Sequence, residues 1–306
     1  WSPQLLHYNL SPKEPFAGLF STLSKAQDTI HTMNPHFKAL EAAYQLRYYL
    51  WLKTHYLEPL LTPELQTFAS TVLADVCSRH EYHLLQSDIT KDQLRLLISL
   101  KPTQTIAQTI KVIKGNLAYQ FGKNFGGGKL LGKGYFARSV GEVDLSRARN
   151  YVEGQSIHHG YKGEWTQSLK FRNEQFKSPA FEFAHCVSIL NYHLVFSTQT
   201  RIPLFDERIA PGLFDYLLSV GDKHSFAIDR IGLLPDHMHV LIEGIPSVSV
   251  EEYALSILNN TSYWMLKNYA GVLKQTNAWN VWAPSYYAGT VGDYTTTQVS
   301  SFLLRK

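Results

Sequence analysis

The chain repeats itself, and the repeat constrains its fold more than any other feature. Shifted by 144 residues, Tyr48-Tyr-Leu-Trp-Leu-Lys-Thr54 falls on Tyr192-His-Leu-Val-Phe-Ser-Thr198 and Pro59-Leu60 on Pro203-Leu204. The same shift lays His80 on His224, Asp92 on Asp236 and Leu97-Ile98 on Leu241-Ile242. A shift of 151 then lays Gly134-Tyr-Phe-Ala-Arg-Ser-Val-Gly-Glu142 on Ser285-Tyr-Tyr-Ala-Gly-Thr-Val-Gly-Asp293, and the change of 7 amounts to one loop-length difference. Each block alone is weak; their shared order argues for two diverged copies of one unit. We place the copies at 42–158 and 186–306, with a polar connector at 159–185 between them. Residues 1–41 have no counterpart in the second copy and suggest no task.

Within each copy the pattern is α+β. Ser188–Ser197 and Phe226–Ile231 are rich in strand formers, Leu233–Asp236 reads as a turn, and Met238–Ile242 as the next strand. Apolar residues at helical spacing predict helices over Pro211–Gly221 and Val250–Tyr269. Asp144 is an N-cap for a short helix over Leu145–Gln155, and Thr295 or Thr296 for its partner over Thr297–Lys306. A small antiparallel sheet with helices packed on it fits this order.

With 44% hydrophobic and 18% charged residues, the chain has the composition of a globular protein rather than a disordered one. No run of 18 apolar residues predicts a membrane span. Cys77 and Cys186 are too few for a disulfide framework and form no metal-type pair, so a cytoplasmic setting is expected. The net charge of +4 permits nucleic-acid binding, and the 13 histidines direct attention to imidazole chemistry.

The sharpest local motif is Asp236-His237-Met238-His239-Val240-Leu241-Ile242. Residues i and i+2 of a strand share a face, so His237 and His239 present two imidazoles together while Met238, Val240 and Ile242 face a core. Two imidazoles side by side begin a divalent-metal site, although solvated histidines share the pattern. Tyr151 and Gln155, at i and i+4, would share one face of a helix, with Gly154 weakening the helix between them. The repeat sharpens both. Opposite His237 and His239 the first copy has Gln93 and Arg95, and a guanidinium has no lone pair for a metal. Opposite Tyr151 and Gln155 the second copy has Phe302 and Lys306. One copy kept the phenol, the other the histidines, as expected for one composite site drawing on both.

At these residues the chain resembles the HUH single-tyrosine transposases of bacterial insertion sequences, including those associated with REP elements. His237-Met238-His239 matches the family's His-hydrophobic-His motif. Val281 to Gly292 with the helix after it resembles the closing strand and tyrosine helix, and Asn191 to Arg201 the opening strand. The resemblance covers nearly all of the second copy and, more weakly, the first. It implies two tandem ferredoxin-like domains forming an intramolecular pseudo-dimer, with Tyr151 as nucleophile and His237, His239 and Gln155 as ligands of Mg²⁺ or Mn²⁺. Gln93, Arg95, Phe302 and Lys306 would be degenerate counterparts.

The implied substrate is single-stranded DNA, with hairpin-containing element ends as partner. It would be cleaved and rejoined through a 5′-phosphotyrosine without ATP. No phosphate-binding loop is predicted, since Phe125-Gly-Gly-Gly-Lys129 lacks the Ser or Thr that follows the lysine in such loops. Lys111, Lys114, Lys123, Lys129, Lys133 and Arg138, among Tyr119, Phe121 and Phe125, are the candidate DNA contacts. Two rivals stand beside this expectation: a non-catalytic hairpin-binding regulator, and a metal-dependent nickase that attacks with water. A covalent DNA adduct on Tyr151 separates all three.

Overall fold

The structure, a computed structural model, describes residues 36–126, 129–154, 169–176, 181–183, 186–278 and 280–304. The first half runs β1 (Glu41–Gln45), β2 (Arg47–Lys53), α1 (Pro63–Arg79), β3 (His83–Ile89), β4 (Gln93–Ser99), α2 (Ile106–Phe125), β5 (Tyr135–Val140) and α3 (Leu145–Glu153). After β6 (Lys170–Arg172) and β7 (Phe181–Phe183), the second half repeats that order with one strand, β8, in the place of β1 and β2 together. It runs β8 (Cys186–Thr198), α4 (Ala210–His224), β9 (Phe226–Leu234), β10 (His237–Gly244), α5 (Val250–Gln275), β11 (Trp282–Val291) and α6 (Thr296–Leu304). The fold is mixed α+β, as the patterning predicted.

Alternation explains the strands. In β2, Tyr48, Leu50 and Leu52 are buried while Tyr49, Trp51 and Lys53 stand on the other face. The buried rows meet apolar stripes of α1 and α2, among them Leu73, Val76, Ile110, Ile113 and Leu117. In the second half Leu194, Phe196, Val240 and Ile242 meet α4 and α5 through Leu213, Leu217, Ile257 and Leu258. One core runs through both halves. Tyr48 and Tyr192, equivalent positions, hydrogen-bond to each other within it, with ring centroids 6.4 Å apart.

The strands form one sheet in the order β3-β4-β2-β5-β8-β10-β9-β6, with β11 paired to both β8 and β1. The joins between halves are reciprocal. β1 runs parallel to β11 with Ala42 opposite Tyr286 and Gln45 opposite Gly289. β5 runs parallel to β8 with Tyr135 opposite Cys186 and Arg138 opposite Ile189. These are the same pairings under the shifts of 144 and 151. The contacts beyond follow suit. The Ser139 hydroxyl donates to the Val291 carbonyl at 2.5 Å and accepts from the Asn191 amide at 2.9 Å. Thr290 donates to the Val140 carbonyl at 2.7 Å and accepts from the Arg47 amide at 2.9 Å. A side chain at Gly141 would collide with the Thr290 carbonyl, and one at Gly292 with the Ser139 carbonyl, so both crossings demand glycine.

Some boundaries differ from the expectation. β9 continues to Leu234, so the turn shrinks to Pro235 and Asp236, because Leu233 and Leu234 are buried and paired to β10. The 159–185 connector contributes strands: β6 pairs with β9, and β7 with β8. The end of the 1–41 segment is likewise part of the fold. The Phe37 amide donates to Asn259 at 2.8 Å and the Leu40 amide to Glu251 at 3.2 Å, docking it on α5 before β1 begins. No helix among the described residues is long and apolar enough to cross a membrane.

Candidate active site

The chain reverses at Gly141 and passes into α3, which leaves its own half. The Asp144 side chain accepts from the Arg147 amide, capping the helix as predicted, and the Leu145 amide donates to the Gly292 carbonyl of the other half. Ala148 and Val152 then pack on Leu241 and Val291. Gly232 on β9 lets the helix come close: a Cβ there would lie 2.5 Å from the Val152 carbonyl oxygen. Three ion pairs fix the helix's rotation. Arg149 meets the buried Asp229 carboxylate at 2.6 Å, and Glu153 meets Arg230 at 2.6 Å and Arg172 at 3.1 Å. Burial pushes the Glu153 carboxyl up, but the two arginines outweigh it and hold it below the usual range.

This brings the Tyr151 ring to the second half's histidines, 5.7 Å from His239 and 5.9 Å from His193 between centroids. His237 and His239 lie 5.2 Å apart on β10. Both are buried, at 4% and 5% exposure, so they are not the solvated surface histidines that share the motif. Met238, Val240 and Ile242 fill the opposite face, as predicted.

Each ring is oriented through Nδ1. His237 Nδ1 lies 2.6 Å from an Asp236 carboxylate oxygen, and His239 Nδ1 lies 2.9 Å from His193 Nε2. An Nδ1 contact of this kind on each ring is the usual outer-shell arrangement of metal-binding histidines. Burial pushes His193 down to about 4, keeping it neutral near pH 7 and able to accept a proton bond from His239. Burial also raises the Asp236 carboxyl, but His237 and then Arg201 outweigh it and leave it low and ionised. Among the described residues no group of three His, Cys, Asp or Glu side chains is placed to hold a metal. The donor set here is two imidazoles. Helix α3 ends at Glu153 with Gly154 as its C-cap, so the expected helix to Gln155 is two residues too long. Gln155, like Lys306, lies outside the described residues.

His193 and Tyr287 are site residues that the motifs did not single out. His193 sits on β8, the strand beside β10, and no local motif marks it. Its one signal is the repeat, which puts Tyr49 at the equivalent place. The Tyr287 ring lies 6.2 Å from His193 and borders the same site.

The equivalent place in the other half has the same backbone and different chemistry. Helix α6 packs Val299 and Leu303 on Leu97 and Val140, and Ser300 is hydrogen-bonded to Gln86 at 2.6 Å. Arg95 lies over the Phe302 ring at 5.3 Å and 3.0 Å from Asp88. Gln93 accepts from the Trp51 indole at 2.7 Å. Guanidinium and phenyl thus stand where imidazole and phenol stand in the composite site.

The expected DNA contacts separate. Lys111 and Lys123 are exposed on α2, which packs with α1 rather than beside α3, while Lys129 and Lys133 line a cleft with Trp51 and Tyr56. Lys114 differs from the expectation. Its ammonium sits among the carbonyls of Gly132, Lys133 (3.0 Å) and Gly134 (3.2 Å), so it secures a loop. Arg138 is bound to Asp293 at 3.3 Å, across the join between halves. Phe121 is buried in the core, which removes it as a stacking platform, whereas Tyr119 is exposed and Phe125 half exposed.

Comparison with known proteins identifies the family. The ISDra2 transposase TnpA of Deinococcus radiodurans is 24% identical over 114 residues, 37% of this chain and 81% of its own length. A transposase crystal structure from Deinococcus radiodurans R1 has 23% identity and a TM-score of 0.33, covering 38% of this chain and 90% of its own. The structure of a REP-associated tyrosine transposase bound to a REP hairpin has 11% identity and a TM-score of 0.27, covering 38% and 70%. Residues 42–155 and 186–305, well over half of the chain, match the family described as Transposase IS200 like, and the chain belongs to that family.

Proposed function

We propose that the chain is a single-strand DNA transposase whose two halves act as a fused pair of ferredoxin-like domains sharing one working site. The observation that carries this is the meeting of the first half's Tyr151 with the second half's His239 and His193. The repeated element order and the reciprocal register at both joins support a pseudo-dimer, as two equivalent units joined by a two-fold would have. The domains are 42–158 and 186–306, joined by 159–185.

Mg²⁺ or Mn²⁺ at His237 and His239, with Gln155 as third ligand, would supply charge neutralisation for the scissile phosphate. Asp236 and His193 hold the two imidazoles in the tautomer that offers Nε2. Helix α3, fixed by Arg149, Glu153 and the close contact at Gly232, presents the Tyr151 phenol. Its oxygen attacks phosphorus and loses its proton. The bond from phosphorus to the 3′ oxygen breaks, and that oxygen leaves protonated as a 3′-OH. The 5′ phosphate stays on the tyrosine. Attack by another strand's 3′-OH reverses the step without ATP, because the phosphodiester's free energy is retained in the protein–DNA bond. Hairpin-bearing ends are the partner that the REP-associated relative suggests. One site per chain makes each cleavage and each joining a separate round.

The test is incubation with an unpaired oligonucleotide and Mn²⁺, followed by denaturing electrophoresis and peptide mapping. The expected result is a covalent 5′-DNA adduct on Tyr151, abolished in Tyr151→Phe. Binding without an adduct would support a regulator. Cleavage without one would support a water-using nickase.

A further inference from the structure

Beside the inactive pair Arg95 and Phe302 lies a cleft that the phosphotyrosine chemistry does not use. It encloses about 960 Å³, at the upper end of ligand-pocket sizes. Its wall begins at Trp51, which β2 places opposite Arg95 on one side and Phe136 on the other. Lys53 lies over the Trp51 ring at 4.3 Å. Tyr56, 83% exposed, stands at the rim in a left-handed backbone conformation (φ 54°). Lys129 and Lys133 also line it, and among the described residues that line it none is acidic. Lys114 holds the 132–134 loop that carries Lys133.

The pseudo-equivalent cleft beside the composite site provides an internal control. It is about 460 Å³ and is lined by Val195, Ser197 and Tyr287 with Glu41 and Arg201. Position by position, Trp51 corresponds to Val195, Lys53 to Ser197, Tyr56 to Thr200, Lys129 to Asn280 and Lys133 to Pro284. The loop backbone is shared, since Thr200 is also left-handed (φ 52°). What differs, on the inactive side, is the gain of two large rings and three cations and the loss of one cation, Leu57 standing where the other cleft has Arg201. Rings that accept bases and ammoniums that track phosphates are the combination that holds unpaired nucleic acid.

We infer that the inactive half-site is a DNA-holding station: its cleft binds a short unpaired DNA segment between the Trp51 and Tyr56 rings and the Lys53, Lys129 and Lys133 ammoniums, without cutting it. The inference rests on the proposed function in taking single-stranded DNA as the substrate. It adds a second contact outside the composite site, through which one chain with one nucleophile keeps hold of a strand.

The test uses the full chain carrying Tyr151→Phe, so that binding is read without covalent capture. The probe is a fluorescein-labelled oligothymidylate of about 12 nucleotides, within the range of single-strand site sizes, followed by anisotropy. In one variant Trp51→Val, Lys53→Ser and Tyr56→Thr install the counterpart residues. In a second, Lys129→Asn and Lys133→Ala alter two exposed loop lysines without touching the core. The first is expected to weaken binding by about tenfold or more. The second should flatten the slope of log affinity against log salt by about 1.4, for two lost phosphate contacts. Parent-like affinity and slope in the second variant overturn the inference whether or not the first folds. So does a duplex that binds the parent as tightly as the unpaired strand, or an RNA of the same sequence that binds more tightly. The adduct assay, run separately with Tyr151 intact, reads the phosphotyrosine proposal; an absent adduct there overturns that proposal, while the anisotropy comparison alone decides the cleft.

Discussion

The two helix crossings share a backbone and differ in chemistry. At one, α3 brings Tyr151 over His239 and His193; at the other, α6 brings Phe302 under Arg95. The contacts that make the crossings are kept in both: glycine at 141 and 292, a hydroxyl at 139 and 290, and backbone hydrogen bonds donated by the Leu145 amide to the Gly292 carbonyl and by the Thr296 amide to the Gly141 carbonyl. The fold needs both joins, because each closes a strand edge and covers a sheet face of the opposite half. The proposed chemistry needs one. The fastenings differ too: α3 is held by ion pairs to the buried Asp229 and to Arg230, α6 by a Gln86–Ser300 hydrogen bond and a cation over a ring. The side that must place an oxygen accurately has the charged, directional contacts.

The comparison can be broken at its closest contact. Gly232→Val would drive a side chain into the Val152 carbonyl and displace α3. An ångström-scale error at the proposed nucleophile should lower the rate of adduct formation by about 100-fold, while Mn²⁺ affinity stays unchanged, since the proposed metal ligands on β10 are untouched. Loss of metal binding with the rate would mean that the strand, not the helix, had moved.

His193→Ala removes the acceptor that orients His239. Metal affinity, followed by titration, should fall by about 10- to 100-fold, the usual effect of an outer-shell partner. His193→Gln, which keeps an acceptor, should recover part of it. Equal losses in the two variants would point to packing rather than orientation.

The smallest effect belongs to Phe302→Tyr. The new phenol would face Arg95 and Gln93, which hold no cation, so adduct yield should be unchanged and mapped peptides should carry DNA at Tyr151 alone. An adduct at position 302 would mean that the two crossings are chemically equivalent.

Much of this was legible before any coordinates. Two constant shifts predicted which strands and residues are equivalent, and the joins then paired them in matching register. The His-x-His alternation placed His237 and His239 on one face with Met238 behind. What stayed hidden is what neither periodicity nor motif encodes. His193 acts from the neighbouring strand, 46 residues before its ring partner in the chain. Gly154 ends α3 before the expected boundary, its amide bonding back to the Asn150 and Tyr151 carbonyls where glycine's low helix propensity favours a stop. Lys114 reads in the sequence as a candidate DNA contact, yet its long stem lets the ammonium turn back to three carbonyls. The strands within the connector form only because β9 and β8 offer edges to pair with.

The central claim is that a phenol from one half and a cation held by the other share a single site. Anomalous scattering from crystals soaked in Mn²⁺ tests it most directly. The account predicts one peak within about 2.3 Å of Nε2 of both His237 and His239, beside the Tyr151 hydroxyl, and none near Gln93 and Arg95. A well-ordered peak elsewhere, or none at the histidines with Tyr151 turned away from them, would contradict it.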